Sequence, residues 1–448
     1  MTTDARELTI DKLAAATPSG RDRYMDFLRA FSILVVVFGH WLMAIIYLDG
    51  TELSGSSALE VVPGTKLATW VLQVMPLFFF VGGFSNLTSL RSIESRGGSY
   101  FDFISSRVGR LMRPTSIFIG AWLAIAIGLE LAAPSLAGDL QPALAIIAKP
   151  LWFIAVYLIV VAVAPLMLRL HRRHGVVVPI VMAASAAAVD VLRLTFDVPL
   201  IGYLNFPFVW LFAHQLGFFY ADGTLRRWST PKVLLLGLAG LATLVLLVTY
   251  GPYSPSMVGV ADGRVSNNDP PSICIVAHST WLIAAALLCR AHVTRWLQRS
   301  RNWKAVIAAN SVIMTVFLWH LTALLIGVLV LFPAGFPQPV GGTEAWWLTR
   351  PLWLGALVVL LVPFVLGLAK FERPRPSERP GTNRKPLFAT LAGIGALVGG
   401  VAGIATSGFG NVVAISGPLG NAALVGAGSL LLREGGKLRG PETRSGRC

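Results

Sequence analysis

Charge is what this chain has least of. Only 13% of its 448 residues are Asp, Glu, Lys or Arg, whereas a soluble domain averages about 25%. So few charges cannot cover a water-facing surface, and a soluble globular fold is excluded. Cysteine is scarce too: Cys274, Cys289 and Cys448 are all there are. The first two share one apolar stretch and the third is the last residue, so they form neither a disulfide framework nor a thiolate metal cluster. They read as apolar filler. Heptad arrays, low-complexity tracts and internal repeats are missing, and no segment between apolar runs is long enough to be a domain of its own. Acidic residues number 22 against 37 Lys and Arg, leaving a net charge of +15. That surplus would suit a nucleic-acid partner if it were gathered on one surface.

It is instead distributed by membrane side. The chain is 55% hydrophobic, and runs of about twenty apolar residues recur, each able to span a bilayer as a helix. Twelve spans are expected: 27–47, 67–88, 115–133, 151–168, 175–192, 201–220, 233–250, 272–289, 306–331, 351–369, 387–407 and 411–432. With the N-terminus in the cytoplasm, 31 of the 37 Lys and Arg fall in the arm, loops and tail of that side. Only Lys66, Lys149, Arg193, Arg264 and Arg350 fall on the other, and Arg29 lies inside the first span. Such asymmetry is the signature of cation retention in the cytoplasm, so it is an orientation signal and no nucleic-acid partner is expected. The fold class is an all-α polytopic integral membrane protein. The first run lacks a small-residue cleavage site and more spans follow, so it is not a signal peptide.

The chemistry must then lie within the bundle, where an ionisable group is costly and marks function. Arg29 and His40 are eleven residues apart, which returns to within about 20° on a helix and climbs ~16 Å. Asp26 can pair with Arg29 at i,i+3 and orient its guanidinium. Taken alone, Arg29 reads more simply as a snorkelling cation and His40 as a satisfied core histidine; their shared face favours function. Arg107, Arg110 and Arg113 recur every third residue in the cytoplasmic loop 89–114. Plain positive-inside charge explains them, and so does a phosphate clamp, because guanidinium forks match phosphate oxygens. His320 lies about as deep in its span as His40 in its own. His278 sits nearer the outer face and His214 nearer the inner one, while His171, His174 and His292 are expected in solvent. Gly82 and Gly83 permit a kink or a close approach in the second span, and Asn86 offers an interhelical hydrogen bond. Trp152 and Tyr157 read as interface anchors.

These residues resemble the membrane acyltransferase 3 family. Asp26, Arg29 and His40 match its Asp-x-x-Arg start and Arg-x10-His spacing, and Arg107 with Arg110 matches its Arg-x-x-Arg pair. Phe79 to Phe84 is similar to its aromatic second helix, with Val81-Gly82 where many members have Ser-Gly. Leu151-Trp152-Phe153 resembles its fourth-helix Leu-Trp-Phe. Asn310-Ser311 with Leu318-Trp319-His320 resembles its late segment, with Phe317 at the aromatic position. The resemblance covers about 20–372, a ten-helix core. The expected parts are therefore a cytoplasmic arm (1–19), that core (20–372), a Pro/Arg-rich linker (373–386), and a C-terminal Gly/Ala-rich transmembrane pair with a basic tail (387–448).

The resemblance implies acyl transfer from a cytoplasmic acyl-CoA, acetyl-CoA being one candidate, to a hydroxyl of a glycan, glycolipid or similar acceptor. Some members carry a soluble hydrolase-like domain after the core; this chain has glycine-rich spans there. His40 is expected as general base, since imidazole titrates near neutrality, with an acyl-histidine as the alternative. Asp26, Arg29 and His320 complete the expected catalytic set, and Arg107, Arg110 and Arg113 the donor-phosphate set. No permanently bound cofactor and no metal is expected; the partners are acyl-CoA, the acceptor and membrane lipids. The Ala- and Gly-rich composition points to a bacterium of high genomic GC, hence to its plasma (inner) membrane. The competing class is a proton-coupled secondary transporter, which buried Arg and His also suit.

Overall fold

A computed structural model describes residues 10–49, 52–259, 262–372, 386–412, 414 and 417–432. The basic tail, Cys448 and all of the expected linker except Pro386 lie outside them. Twelve main helices form one bundle: α1 (Arg23–Met43), α2 (Met75–Glu94), α3 (Tyr100–Ala132), α4 (Leu151–His174), α5 (Val177–Thr195), α6 (Asn205–Ala221), α7 (Thr230–Tyr250), α8 (Ile273–Trp296), α9 (Ile313–Leu331), α10 (Glu344–Leu368), α11 (Leu387–Ser407) and α12 (Pro418–Leu432). Among the described residues, ten helical segments are long and apolar enough to cross a bilayer. At 17 and 15 residues, α6 and α12 fall short of the usual length, about 20 residues. Large apolar side chains face outward, as on α7, where Leu235 is 69% exposed and Leu246 56%. Water would penalise that surface and lipid accepts it. The chain is thus an all-α, multi-pass membrane protein.

Two ends are distinct. Contacts at the basic end join Arg23 to the Leu297 carbonyl and Arg172 to Glu94. At the opposite end Lys66 pairs with Asp262, and the strap of residues 251–259 and 262–272 is held further by Trp70 Nε1 donating to the Pro255 carbonyl. Asp262 accepts from Ser254 and Lys66. Burial pushes its carboxyl up, but these bonds, the Arg264 backbone N–H and the Lys66 charge outweigh that and leave it below its ordinary value.

Several expectations need correction. The first span stops at Met43, not residue 47: Ala44–Asp49 and Glu52–Ser57 form an antiparallel hairpin, β1 and β2, with Ala44 opposite Ser57. Ile45, Ile46 and Tyr47 suit a strand. The third span begins at Tyr100, because Ser99 and Asp102 form a reciprocal cap. It carries the arginine series inside a helix where a loop was expected. His171 is buried rather than solvated, bonded to Asp222 and Gln215. Tyr157 lies within an aromatic cluster with Phe78, Phe79 and Phe153 instead of at the interface. Of the cysteines, Cys274 is buried and Cys289 exposed.

Candidate active site

α1 and α9 set the central pair. His40 Nδ1 and His320 Nε2 are 2.9 Å apart, with rings 11° from coplanar. His320 is fully buried and His40 half-buried. Both imidazoles lie at one depth by their positions along α1 and α9, and the packing brings them together. Trp41 Nε1 donates to the His320 carbonyl at 2.8 Å, tying the two helices one residue beyond His40.

The tautomers follow from one contact. His320 Nδ1 lies 2.6 Å from the Phe317 carbonyl. A carbonyl only accepts, so Nδ1 carries the proton and Nε2 of neutral His320 is bare. Bare Nε2 must accept from His40 Nδ1–H. His40 Nε2 is then left with a free lone pair, the nitrogen that a general base needs.

A second polar group lies about three turns toward the basic end. Arg29 donates to Ser85 Oγ at 3.1 Å and approaches Asp26 at 3.5 Å. Asp26, buried, is held more tightly by Arg21 at 2.6 Å, so it serves both arginines rather than Arg29 alone. Arg107 turns inward from α3 and donates to the Ser85 carbonyl. Arg29 and Arg110 lie close enough to repel its charge. Ser85 is thus the junction of Arg29 and Arg107; nothing in its sequence neighbourhood marks it except its place beside Asn86. The three arginines of α3 do not act as one face: Arg107 points into the bundle, Arg110 is exposed and Arg113 half-buried. Steps of three residues rotate −60° on a helix, enough to separate them.

Behind Ser85, α2 and α6 touch. A Cβ on Gly83 would collide with the His214 carbonyl, and one on Gly217 with the Phe80 carbonyl. This approach lets Asn86 Nδ2 reach His214 Nε2 at 3.1 Å, both residues fully buried. An apolar groove of about 530 Å³ between α5, α6 and α7 contains none of these residues, and its lining offers no acid, base or cation.

Fold and site define a polytopic helical membrane protein with an imidazole pair deep in the bundle and guanidinium groups toward its basic end. A family model described as an acyltransferase domain matches residues 22–370, and the chain belongs to that acyltransferase family. No curated protein and no solved structure gives a significant match.

Proposed function

We propose that this acyltransferase takes an acyl group from a cytoplasmic acyl-CoA at the basic end and passes it to a hydroxyl of a glycan, glycolipid or similar acceptor. The basic end is then the cytoplasmic one, as cation retention requires, and the setting a bacterial plasma membrane. The observation that carries the reading is the free Nε2 of His40 held about 16 Å above Arg29 along the same helix face. The pantetheine arm of coenzyme A runs thirteen bonds from phosphorus to sulfur. At roughly 1.25 Å of reach per bond it spans about 16 Å. A pyrophosphate at Arg29 and Arg107 therefore delivers a thioester to His40.

In the reaction the acceptor hydroxyl gives its proton to His40 Nε2 while its oxygen attacks the thioester carbonyl carbon. The C–S bond then breaks, and the departing sulfur takes that proton back from His40. His320 holds His40 in the reactive tautomer by accepting Nδ1–H throughout. Arg29 and Arg107 bind donor phosphate, and Asp26 orients Arg29. Such positioned acid–base work is worth ~10²–10⁴-fold.

Purified protein in vesicles, loaded with radiolabelled acyl-CoA and a polyol or glycolipid acceptor, provides the test. Label should become covalently attached to the acceptor with wild type and not with His40→Ala. A proton-coupled transporter would instead move solute into the vesicles and leave no covalent product.

A further inference from the structure

Three buried polar atoms beside the guanidinium entrance have no hydrogen-bond partner among the described residues: Asn86 Oδ1, Arg107 Nε and His214 Nδ1. They come from α2, α3 and α6. Asn86 and His214 are fully buried and bonded to each other, and the Arg107 charge acts directly on His214. One unmatched buried polar group costs about 1–3 kcal/mol. Three in one place call for a shared partner.

Their chemistry restricts that partner. Asn86 Nδ2 donates to His214 Nε2, so His214 Nδ1 carries the proton. The cluster then presents two donors, Arg107 Nε–H and His214 Nδ1–H, and one acceptor, Asn86 Oδ1. A secondary amide is the complement, with a carbonyl for the donors and an N–H for the acceptor. Pantetheine contains two. The nearer begins five bonds from phosphorus, about 6 Å at the same reach per bond. Asn86 follows Ser85, which bonds both Arg29 and Arg107, so the cluster lies one step from the phosphate position. We infer that Asn86, His214 and Arg107 Nε form a subsite for the phosphate-proximal amide of the donor's pantetheine arm. This inference rests on the acyl-CoA reading above. It gives the two buried residues a binding role and makes the enzyme sensitive to an atom far from the reacting carbon.

The test compares acyl-CoA with an analogue whose proximal amide is replaced by an ester, which keeps the carbonyl and removes the N–H. Wild-type kcat/KM should fall about tenfold with the ester, the value of one hydrogen bond with its acceptor left unpaired. In Asn86→Leu/His214→Leu, which removes both polar partners together and is checked for folding by its thermal midpoint, the two donors should differ less than twofold. Asn86→Leu alone removes the acceptor for the amide N–H and should likewise narrow the difference to less than twofold, a second readout if the double variant fails to fold; an unchanged ester penalty there would overturn the proposal too. Equal rates with both donors in wild type would show that ordered water alone fills the subsite and overturn the proposal. An undiminished ester penalty in the double variant would overturn it as well. If wild type transfers from no CoA thioester, the donor reading itself fails and the subsite falls with it.

Discussion

In the proposed reaction His40 and His320 divide one task by tautomer. A single backbone carbonyl, that of Phe317, fixes the proton of His320 and through it the lone pair of His40. Replacing His320 with Phe removes the acceptor for His40 Nδ1–H and lets the ring present either nitrogen. We expect kcat to fall about 10²-fold with little change in donor KM, since the pair positions a proton without holding the donor. His320→Gln restores an acceptor and should recover part of the loss. Arg107→Ala should show the opposite split: apparent donor KM rises about 10–100-fold, the worth of one hydrogen bond to a charged group, with kcat less affected. Steady-state kinetics on purified protein separate the two patterns. At this scale the sequence was legible where spacing on one helix sufficed, as for Arg29 and His40. It was silent on Ser85 and the Phe317 carbonyl, because their roles depend on which helices become neighbours.

At the scale of elements, small residues decide which helices meet. The α2–α6 contact depends on Gly83 and Gly217, each opposed by a backbone carbonyl that cannot move aside. Gly83→Ala should lower the thermal midpoint and separate Asn86 from His214; overpacking of this kind costs about 1–3 kcal/mol. Gly120→Ala on α3 meets no atom within 4 Å and should stabilise slightly, by about 0.5–1 kcal/mol from helix propensity. Thermal unfolding of the two variants checks both signs. Close approach in the second span was readable from paired glycines, although its partner was not. The hairpin β1–β2 is not legible in the sequence because its apolar residues prolong the hydropathy of α1, and a short apolar run does not declare helix or strand.

The strap at the opposite end carries a pH prediction. The Asp262 carboxyl sits below its ordinary value of 3.8. Its bonds to Lys66 and Ser254 therefore contribute fully above that pH and are lost as pH falls through the lowered value. Asp262→Asn should be less stable than wild type at neutral pH, and the gap should close in acid below 3.8. Unfolding midpoints measured across that range test the sign.

The whole molecule combines a ten-helix body with a C-terminal pair. The family match ends at residue 370, yet α11 and α12 are built into the bundle. Gly393, Gly400 and Gly428 bring the two helices into backbone contact. Phe409, two residues past α11 and fully buried, packs its ring against Phe118 and Trp122 of α3. Trp122 Nε1 in turn donates to Thr322 of α9, two residues past His320. The glycine-rich composition indicated close packing of this pair; its docking on α3 was invisible, because no local pattern encodes a contact between segments so distant in sequence. The split of the loops into a basic set and a cation-poor set was readable throughout, since cation retention acts on every loop independently. The convergence of His40 with His320 is a property of the assembled bundle.

Transfer at His40 requires the donor's sulfur to reach it from phosphates held near Arg29. The most direct measurement is an experimental structure with a non-hydrolysable thioether analogue of acyl-CoA bound. It should place the pyrophosphate against Arg29 and Arg107 and the sulfur within about 4 Å of His40 Nε2, close enough for direct proton exchange. An analogue bound with its sulfur outside the bundle, or with His40 Nε2 engaged by another side chain, would contradict the account.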